Sequence, residues 1–396
     1  MRGRGLFAPR GGPIGRSSWR AKLALLGLGM VVGLVLCELT ARAIYAVPPE
    51  PAREPQIVYR READVGFLHL PNQAGWIDDG FVTINDLGLR GAAPARPKPP
   101  AAFRVLATGD STTVGWGVHD ADTYPAQLET RLRASFPDLR VDVVNGGVSG
   151  YDLEQQARLI RRLVPILQPD VLLVGFFWND LPYRHVSPEG EPAGIEPSHS
   201  LDRPHTPGTF RLGNRPSRLN RVLRSSRLLY VLRHAWLDLT SSGPSAANDV
   251  RWELALLEGR QSDAIDHAWS QTRDVLSSIQ ALAAEHAIPL ALVVIPVRAQ
   301  VERDYPRAAY QVRVQALAES LGVPVLDPLP RFVSQRSRRR LFIPFDRMHF
   351  SAAGNQLIAE TAFDALRTSI EHYSRTRRVE TSGPHAPGRG DASHRP

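Results

Sequence analysis

A serine near the first quarter of the chain and an Asp-His pair near its end have the residue types that ester chemistry needs. Ser111 sits in "RVLATGDSTTVGWGV" (104–118), directly after an apolar run and inside Gly109-Asp110-Ser111. A serine hydroxyl is a weak nucleophile until a base takes its proton and a third group orients that base. Asp346 and His349 stand three residues apart in "FDRMHFSAAGNQLIAE" (345–360). One short turn can then hold carboxylate and imidazole together, the carboxylate choosing the tautomer and stabilising the imidazolium. Neither feature decides anything alone. At average composition a Gly-Asp-Ser tripeptide arises by chance in roughly one chain in ten of this length, and Asp-x-x-His pairs are common in surface loops. His119 and His185 compete for the role of base, but neither has an acid three residues before it as His349 has.

Acyl transfer also needs donors aimed at the oxygen that gains charge. Two segments offer them. "VVNGGVSGYD" (143–152) follows an apolar run, and its glycines let the backbone turn its N–H groups towards a ligand. "LLVGFFWNDLP" (172–182) follows another run and carries Asn179, whose side-chain amide is a donor. Taken singly, Gly150 or Asn179 reads as part of an ordinary turn. All these features at the ends of successive apolar runs, in this order, are harder to assign to chance.

The elements that must position them alternate in type. "FRVLAT" (103–108), "RVDVV" (140–144), "DVLLVGF" (170–176), "PLALVVI" (289–295) and "GVPVLD" (322–327) are continuous apolar runs, the pattern of strands buried on both faces of a parallel sheet. Helical patterns lie between and after them at Tyr124–Phe136, Leu153–Leu167, Ala264–His286 and Tyr310–Leu321, with a last one from Ala352 to Glu371. This predicts an α/β, doubly wound parallel sheet with function at the carboxyl ends of its strands.

With that order in place, the chain resembles the SGNH, or GDSL, family of serine esterases and acylhydrolases. The resemblance covers 103–370 and implies a flavodoxin-like sheet. It makes Ser111 the nucleophile and its backbone N–H an oxyanion donor. The "NGGVSG" segment places the family's glycine at Gly150, Asn179 becomes the side-chain oxyanion donor, and Asp346 and His349 become orienting acid and base. "INDLGLRG" (84–91) resembles a lead-in found in membrane-anchored bacterial members. Two positions depart from the pattern: Thr112 replaces a leucine of the first block, and Phe177 occupies a glycine's place in the third. The Gly-x-Ser-x-Gly elbow of the other large esterase fold is absent, since 147–151 ends in Tyr151.

Composition excludes some partners and points to a membrane. The net charge of +8 is concentrated at the ends. Residues 1–22 contribute +6 and the segment from Arg375 contributes +3, leaving the middle near −1. A nucleic-acid binder keeps its basic residues on the folded domain, so no nucleic-acid partner is expected. Leu23–Cys37 is uncharged and strongly apolar, and it follows six cations. This predicts a transmembrane signal anchor over 23–46, with the basic N-terminus 1–22 cytoplasmic and the remainder periplasmic. Cleavage after Ala43 is the alternative, because Ala41-Arg42-Ala43 matches a small-x-small site. Cys37 is the sole cysteine, so no intramolecular disulfide can form.

The expected organisation is a tether and small β-rich lead-in over 47–101, an SGNH hydrolase domain over 102–373, and a disordered tail over 374–396. Residues 181–250 interrupt the domain as an insertion expected to cover a site. Its basic amphipathic stretch "RLNRVLRSSRLLYVLRHAWLDL" (218–239) is expected to pack onto the domain, with a place on the membrane surface as the alternative. The function expected is a serine acyl-ester hydrolase needing no cofactor or metal. By resemblance its substrates are O-acetyl or other short acyl esters on envelope polysaccharides, or lipid esters. An O-acyltransferase sharing the acyl-enzyme and a non-catalytic glycan-binding module are the alternatives.

Overall fold

The computed structural model describes residues 18–44, 55–183, 186–191, 208–210, 226–240, 244–303, 308–344 and 346–381. Helix α1 (Trp19–Ile44) comes first. At 1.5 Å per residue its 26 residues extend about 39 Å, enough to cross a bilayer. Its surface is almost wholly exposed and apolar, and only Ala41 is buried.

A small β-rich segment follows. Strands β1 (Tyr59–Glu62) and β2 (Gly66–His69) pair antiparallel, and β3 (Gln73–Ile77) and β4 (Gly80–Ile84) form a hairpin. The main α/β unit begins with β5 (Ala102–Gly109), every residue of which is buried. It continues through α2 (Ser111–Val114), α3 (Tyr124–Ser135), β6 (Arg140–Gly147), α4 (Leu153–Leu167) and β7 (Val171–Phe176).

Within the segment 181–250 lie β8 (Thr209–Phe210) and α5 (Arg227–Thr240), and α6 (Pro244–Leu257) runs across its expected end. The chain then forms α7 (Asp263–Glu285), β9 (Leu290–Val294), α8 (Arg298–Glu302), α9 (Ala309–Glu319), β10 (Val325–Leu326), α10 (Leu329–Gln335) and α11 (Ala352–Thr381).

The five central strands are parallel in the order β6-β5-β7-β9-β10, the doubly wound flavodoxin-like order. Chain direction across the sheet reverses beside β5. The loops after β5, β6 and β7 therefore open at one crevice, where such sheets take ligands.

Two parts of the sequence reading change. Helix α11 runs on to Thr381, so 374–381 belong to a helix and not to a disordered tail. No glycine or proline interrupts 352–382 after Gly354, and the first pair, Gly383-Pro384, lies beyond the helix end. The amphipathic stretch divides too. Residues 218–225 are outside the described residues, and α5 finds its main packing partner in α1. Strand β8 joins the lead-in by pairing with β1.

Candidate active site

The Ser111 loop is built from short-range geometry. Strand β5 ends at Gly109, where an added Cβ would collide with the Thr113 side chain, so glycine alone allows helix α2 to start this tightly. Asp110 caps that helix, accepting from the Thr112 N–H at 2.8 Å and the Thr112 hydroxyl at 2.7 Å. The leucine-to-threonine departure at position 112 thus supplies a hydroxyl bond to the cap. Ser111 follows at the first helical position, 8% exposed. Its backbone N–H donates to nothing among the described residues.

His349 arrives from the other end of the chain. Its Nε2 lies 2.8 Å from Ser111 Oγ, and its Nδ1 lies 2.7 Å from Asp346 Oδ2. The other Asp346 oxygen accepts from the Met348 and His349 N–H groups, both at 2.8 Å. The turn thus holds the carboxylate from its own backbone before the imidazole is engaged. Burial disfavours charge on both groups, yet their mutual attraction prevails. The Asp346 carboxyl is lowered to about 2 by the His349 charge and these hydrogen bonds. The His349 imidazole is raised above its ordinary value of 6.5, by the Asp346 charge first and then its hydrogen bond. Asn355 fixes the start of α11 beside this turn, accepting from the Tyr124 N–H at 3.0 Å and donating to the Ser351 carbonyl at 3.1 Å.

The candidate oxyanion donors stand on the neighbouring loops. Gly109 and Gly147 are paired at the ends of β5 and β6, so the "NGGVSG" loop begins level with the Ser111 loop. Gly150 has φ +84°, a conformation that favours glycine, and its N–H is unengaged among the described residues. Asn179 lies in the turn after β7, and its Nδ2 donates to Asp110 Oδ2 at 3.1 Å. That turn is braced by buried Asp180, which accepts from Phe177 N–H and from Gln156 Nε2, each at 2.7 Å. Burial, reinforced by the Asp110 charge, raises the Asp180 carboxyl well above its ordinary range. Phe177, in the glycine's place, has its ring buried against Trp178.

All five residues singled out from the sequence, Ser111, Gly150, Asn179, Asp346 and His349, therefore meet at one end of the sheet. His119 does not join them; its Nδ1 accepts from the Phe81 N–H on the lead-in hairpin at 3.2 Å. His185 lies outside the described residues.

Three supporting residues escaped the sequence reading. Arg90, buried in the lead-in, donates to the carbonyls of Val114 (2.6 Å), Gly115 (2.7 Å) and Val118 (2.6 Å), and to Asp120 at 2.8 Å. It gathers the chain just beyond Ser111, and the "LGLRG" motif was its only local signal. Trp116 stacks on the His349 ring, with centroids 5.6 Å apart. Arg298 donates to the backbone carbonyl of Asp346. A lone tryptophan or arginine has no spacing signature, so pattern reading passes over them.

Among the described residues no group of three His, Cys, Asp or Glu side chains could hold a metal ion. A surface cleft of about 470 Å³ between α7 and α9, lined by Asp266, Trp269 and Arg313, shares no residue with this constellation. Without a nucleophile–base pair, the cleft is a weaker candidate despite its volume.

A family model described as "GDSL-like Lipase/Acylhydrolase family" matches residues 107–357, from just before Ser111 to just beyond His349. The chain belongs to this family. As a GDSL-type protein it is an ester-bond hydrolase with the SGNH α/β fold. No match was found among curated proteins. Among solved structures, it is similar to LAE5, an alpha/beta hydrolase from the metagenome of Lake Arreo, Spain. That likeness has 18% identity, 67% of this chain, 95% of that one and a TM-score of 0.39. A lipase/acylhydrolase from Enterococcus faecalis is similar at 14% identity, 67% and 96% coverage and a TM-score of 0.37. An acetyl xylan esterase, AlAXEase, is similar at 13% identity, 67% and 100% coverage and a TM-score of 0.36.

Proposed function

We propose that this GDSL hydrolase is a serine esterase that removes O-acetyl or other short acyl groups from glycans or lipids of the cell envelope. The reading rests on the continuous hydrogen-bonded line from Ser111 Oγ through His349 to Asp346, at 2.8 and 2.7 Å. In this mechanism the Ser111 oxygen attacks the ester carbonyl as His349 Nε2 takes its proton. The tetrahedral oxyanion is held by the N–H groups of Ser111 and Gly150 and by the Asn179 amide. Collapse breaks the bond to the alcohol, which leaves with the proton from His349. Water then attacks the acyl-Ser111 ester by the same route in reverse, releasing the acid and restoring the hydroxyl.

Helix α1 is long and apolar enough to cross a membrane, a property shared by anchors and signal sequences. The reading takes it as a retained anchor. The cations before it keep residues 1–22 in the cytoplasm, and the hydrolase domain lies on the periplasmic side. Envelope esters are then the substrates within reach.

A serine-reactive fluorophosphonate followed by peptide mapping tests the chemistry. Label on the Ser111 peptide, lost in His349→Ala, is the expected result; label elsewhere or none overturns the assignment. Incubation with acetylated envelope glycan should release free acetate, and transfer of all acetyl to an added glycan acceptor would overturn the hydrolytic reading.

A further inference from the structure

The inserted helix α5 packs against α1, and the junction is made by one carboxylate. Glu38, within α1, accepts from Ser226 Oγ at 2.7 Å and from the N–H groups of Arg227 at 3.0 Å and Leu228 at 2.9 Å. Arg42, one turn along α1, donates to the same carboxylate at 2.7 Å. The first N–H groups of a helix have no partner within it. Here Glu38 takes two of them, and the Ser226 hydroxyl takes the Leu229 N–H at 3.2 Å. A carboxylate from 190 positions earlier thus caps α5 with charge suited to its N-terminal dipole.

The position of this junction along α1 matters. Leu23–Cys37 is the uncharged part of α1, about 22 Å long, shorter than a hydrocarbon core of roughly 30 Å. Glu38 follows immediately, so it stands at the outer boundary of the apolar layer or just inside it. A carboxylate there is costly unless it is paired, and four donors converge on it.

The outer face of α5 fits the same boundary. Arg227 and Tyr230 are buried, with the Arg227 guanidinium 5.8 Å from the Tyr230 ring centre. Leu229, Leu232 and Trp236, three and four residues apart on one face, are 40%, 54% and 66% exposed. Helix α1, against which α5 packs, carries an exposed apolar surface of its own, including Leu36 and Leu39. An apolar helical face with a tryptophan, on a helix packed against one long enough to span a bilayer, matches the chemistry of an interfacial helix.

We propose that α5 is a second membrane element. It lies in the outer interface of the bilayer beside α1, with Leu229, Leu232 and Trp236 among the acyl chains and Glu38 clasping the two helices. This rests on the reading of α1 as a retained anchor. The hydrolase domain is then joined to the membrane helix at two places, through the chain after Ile44 and through the clasp.

The test uses the full-length chain with Cys37→Ser, which removes its only thiol. A single cysteine is introduced by Leu232→Cys, by Leu26→Cys in the apolar part of α1, or by Gln315→Cys on the exposed face of α9. Each is labelled with an environment-sensitive fluorophore and reconstituted in vesicles of phosphatidylethanolamine and phosphatidylglycerol. The label at Leu232→Cys should be quenched by lipids with a nitroxide near the headgroup and protected from aqueous iodide, the opposite of Gln315→Cys. If it behaves like Gln315→Cys while Leu26→Cys stays lipid-quenched, the anchor reading survives and the α5 proposal is overturned. If Leu26→Cys is itself iodide-accessible, the anchor reading fails and the proposal falls with it. Adding Glu38→Ala should reduce lipid quenching at Leu232→Cys and leave Leu26→Cys unchanged, with an unaltered thermal melt of the hydrolase domain showing that the fold is intact. Undiminished quenching would overturn the clasp.

Discussion

Asp346 and Glu38 are both carboxylates that collect several donors, yet they are built for different ends. The partners of Asp346 are its own neighbours: the N–H groups of Met348 and His349 and the His349 ring. Those of Glu38 include Ser226, Arg227 and Leu228, on a helix far away in sequence. Asp346 faces a group that can gain and lose a proton, whereas most of the donors on Glu38 are fixed N–H and O–H groups. A carboxylate against a titratable ring can tune chemistry; one against helix N–H groups can only hold a structure in place. The surroundings differ too. Ile343 and Phe350, close to Asp346 in the chain, are buried, whereas Leu36 and Leu39, beside Glu38, are turned outward.

The comparison is broken most severely at the site itself. Ser111→Ala or His349→Ala should lower kcat on a short aryl ester by about 10⁶-fold, because nucleophile and base act as a unit. Thermal stability should change by no more than about 1 kcal/mol for the serine variant. Substantial turnover by either folded variant would detach the triad from the activity.

Asp346→Asn should cost about 10⁴-fold by leaving the imidazole in the wrong tautomer. It also tests the electrostatics. His349 must be neutral to accept the serine proton, so activity rises as pH passes upward through its pKa. Since Asp346 raises that pKa, the acidic limb of kcat/KM should lie above 6.5 in the wild type and move lower in Asp346→Asn. A limb that does not move would mean that another group sets it.

Asn179→Ala should lower kcat by about 10²–10³-fold with little change in KM, as for a donor that strengthens in the transition state. Asn179→Asp should be at least as damaging, since it puts negative charge beside the oxyanion. A modest kcat effect with a lowered melting temperature would make Asn179 a brace for its loop.

Arg90→Met leaves three carbonyls and Asp120 without their guanidinium, and should cost about 3 kcal/mol of stability in urea titrations. Stability within error of the wild type would show that water replaces the lost bonds. The smallest effect belongs to the membrane side. Leu232→Ser should leave kcat on a water-soluble ester unchanged, because its side chain faces outward from α5. A large fall would tie α5 to the chemistry.

Legibility follows the range of each interaction. The strands were readable because burial on both faces demands continuous apolar runs, and β5, β7 and β9 lie where those runs lie. The Asp346–His349 pair was readable because its geometry is contained in one turn. Gly150 and Asn179 became candidates through order and resemblance, and each needed the parallel register of β5, β6 and β7 to reach a common crevice. Arg90 and Trp116 carried no spacing to read. The extension of α11 to Thr381 is not legible because a polar, charged composition suits a solvated helix and a disordered tail alike.

Local residue pattern was enough to fix the alternation of strands and helices, the Ser111, Asp346 and His349 candidates, and the apolar run behind six cations. Each depends on local composition or on periodicity set by backbone geometry. Only the tertiary structure brought Ser111 Oγ within 2.8 Å of a ring 238 positions away, set Arg90 behind the serine loop, and paired Glu38 with the start of α5. Those contacts join segments distant in the chain, and they exist because the sheet's strand order and the packing of buried faces place them side by side.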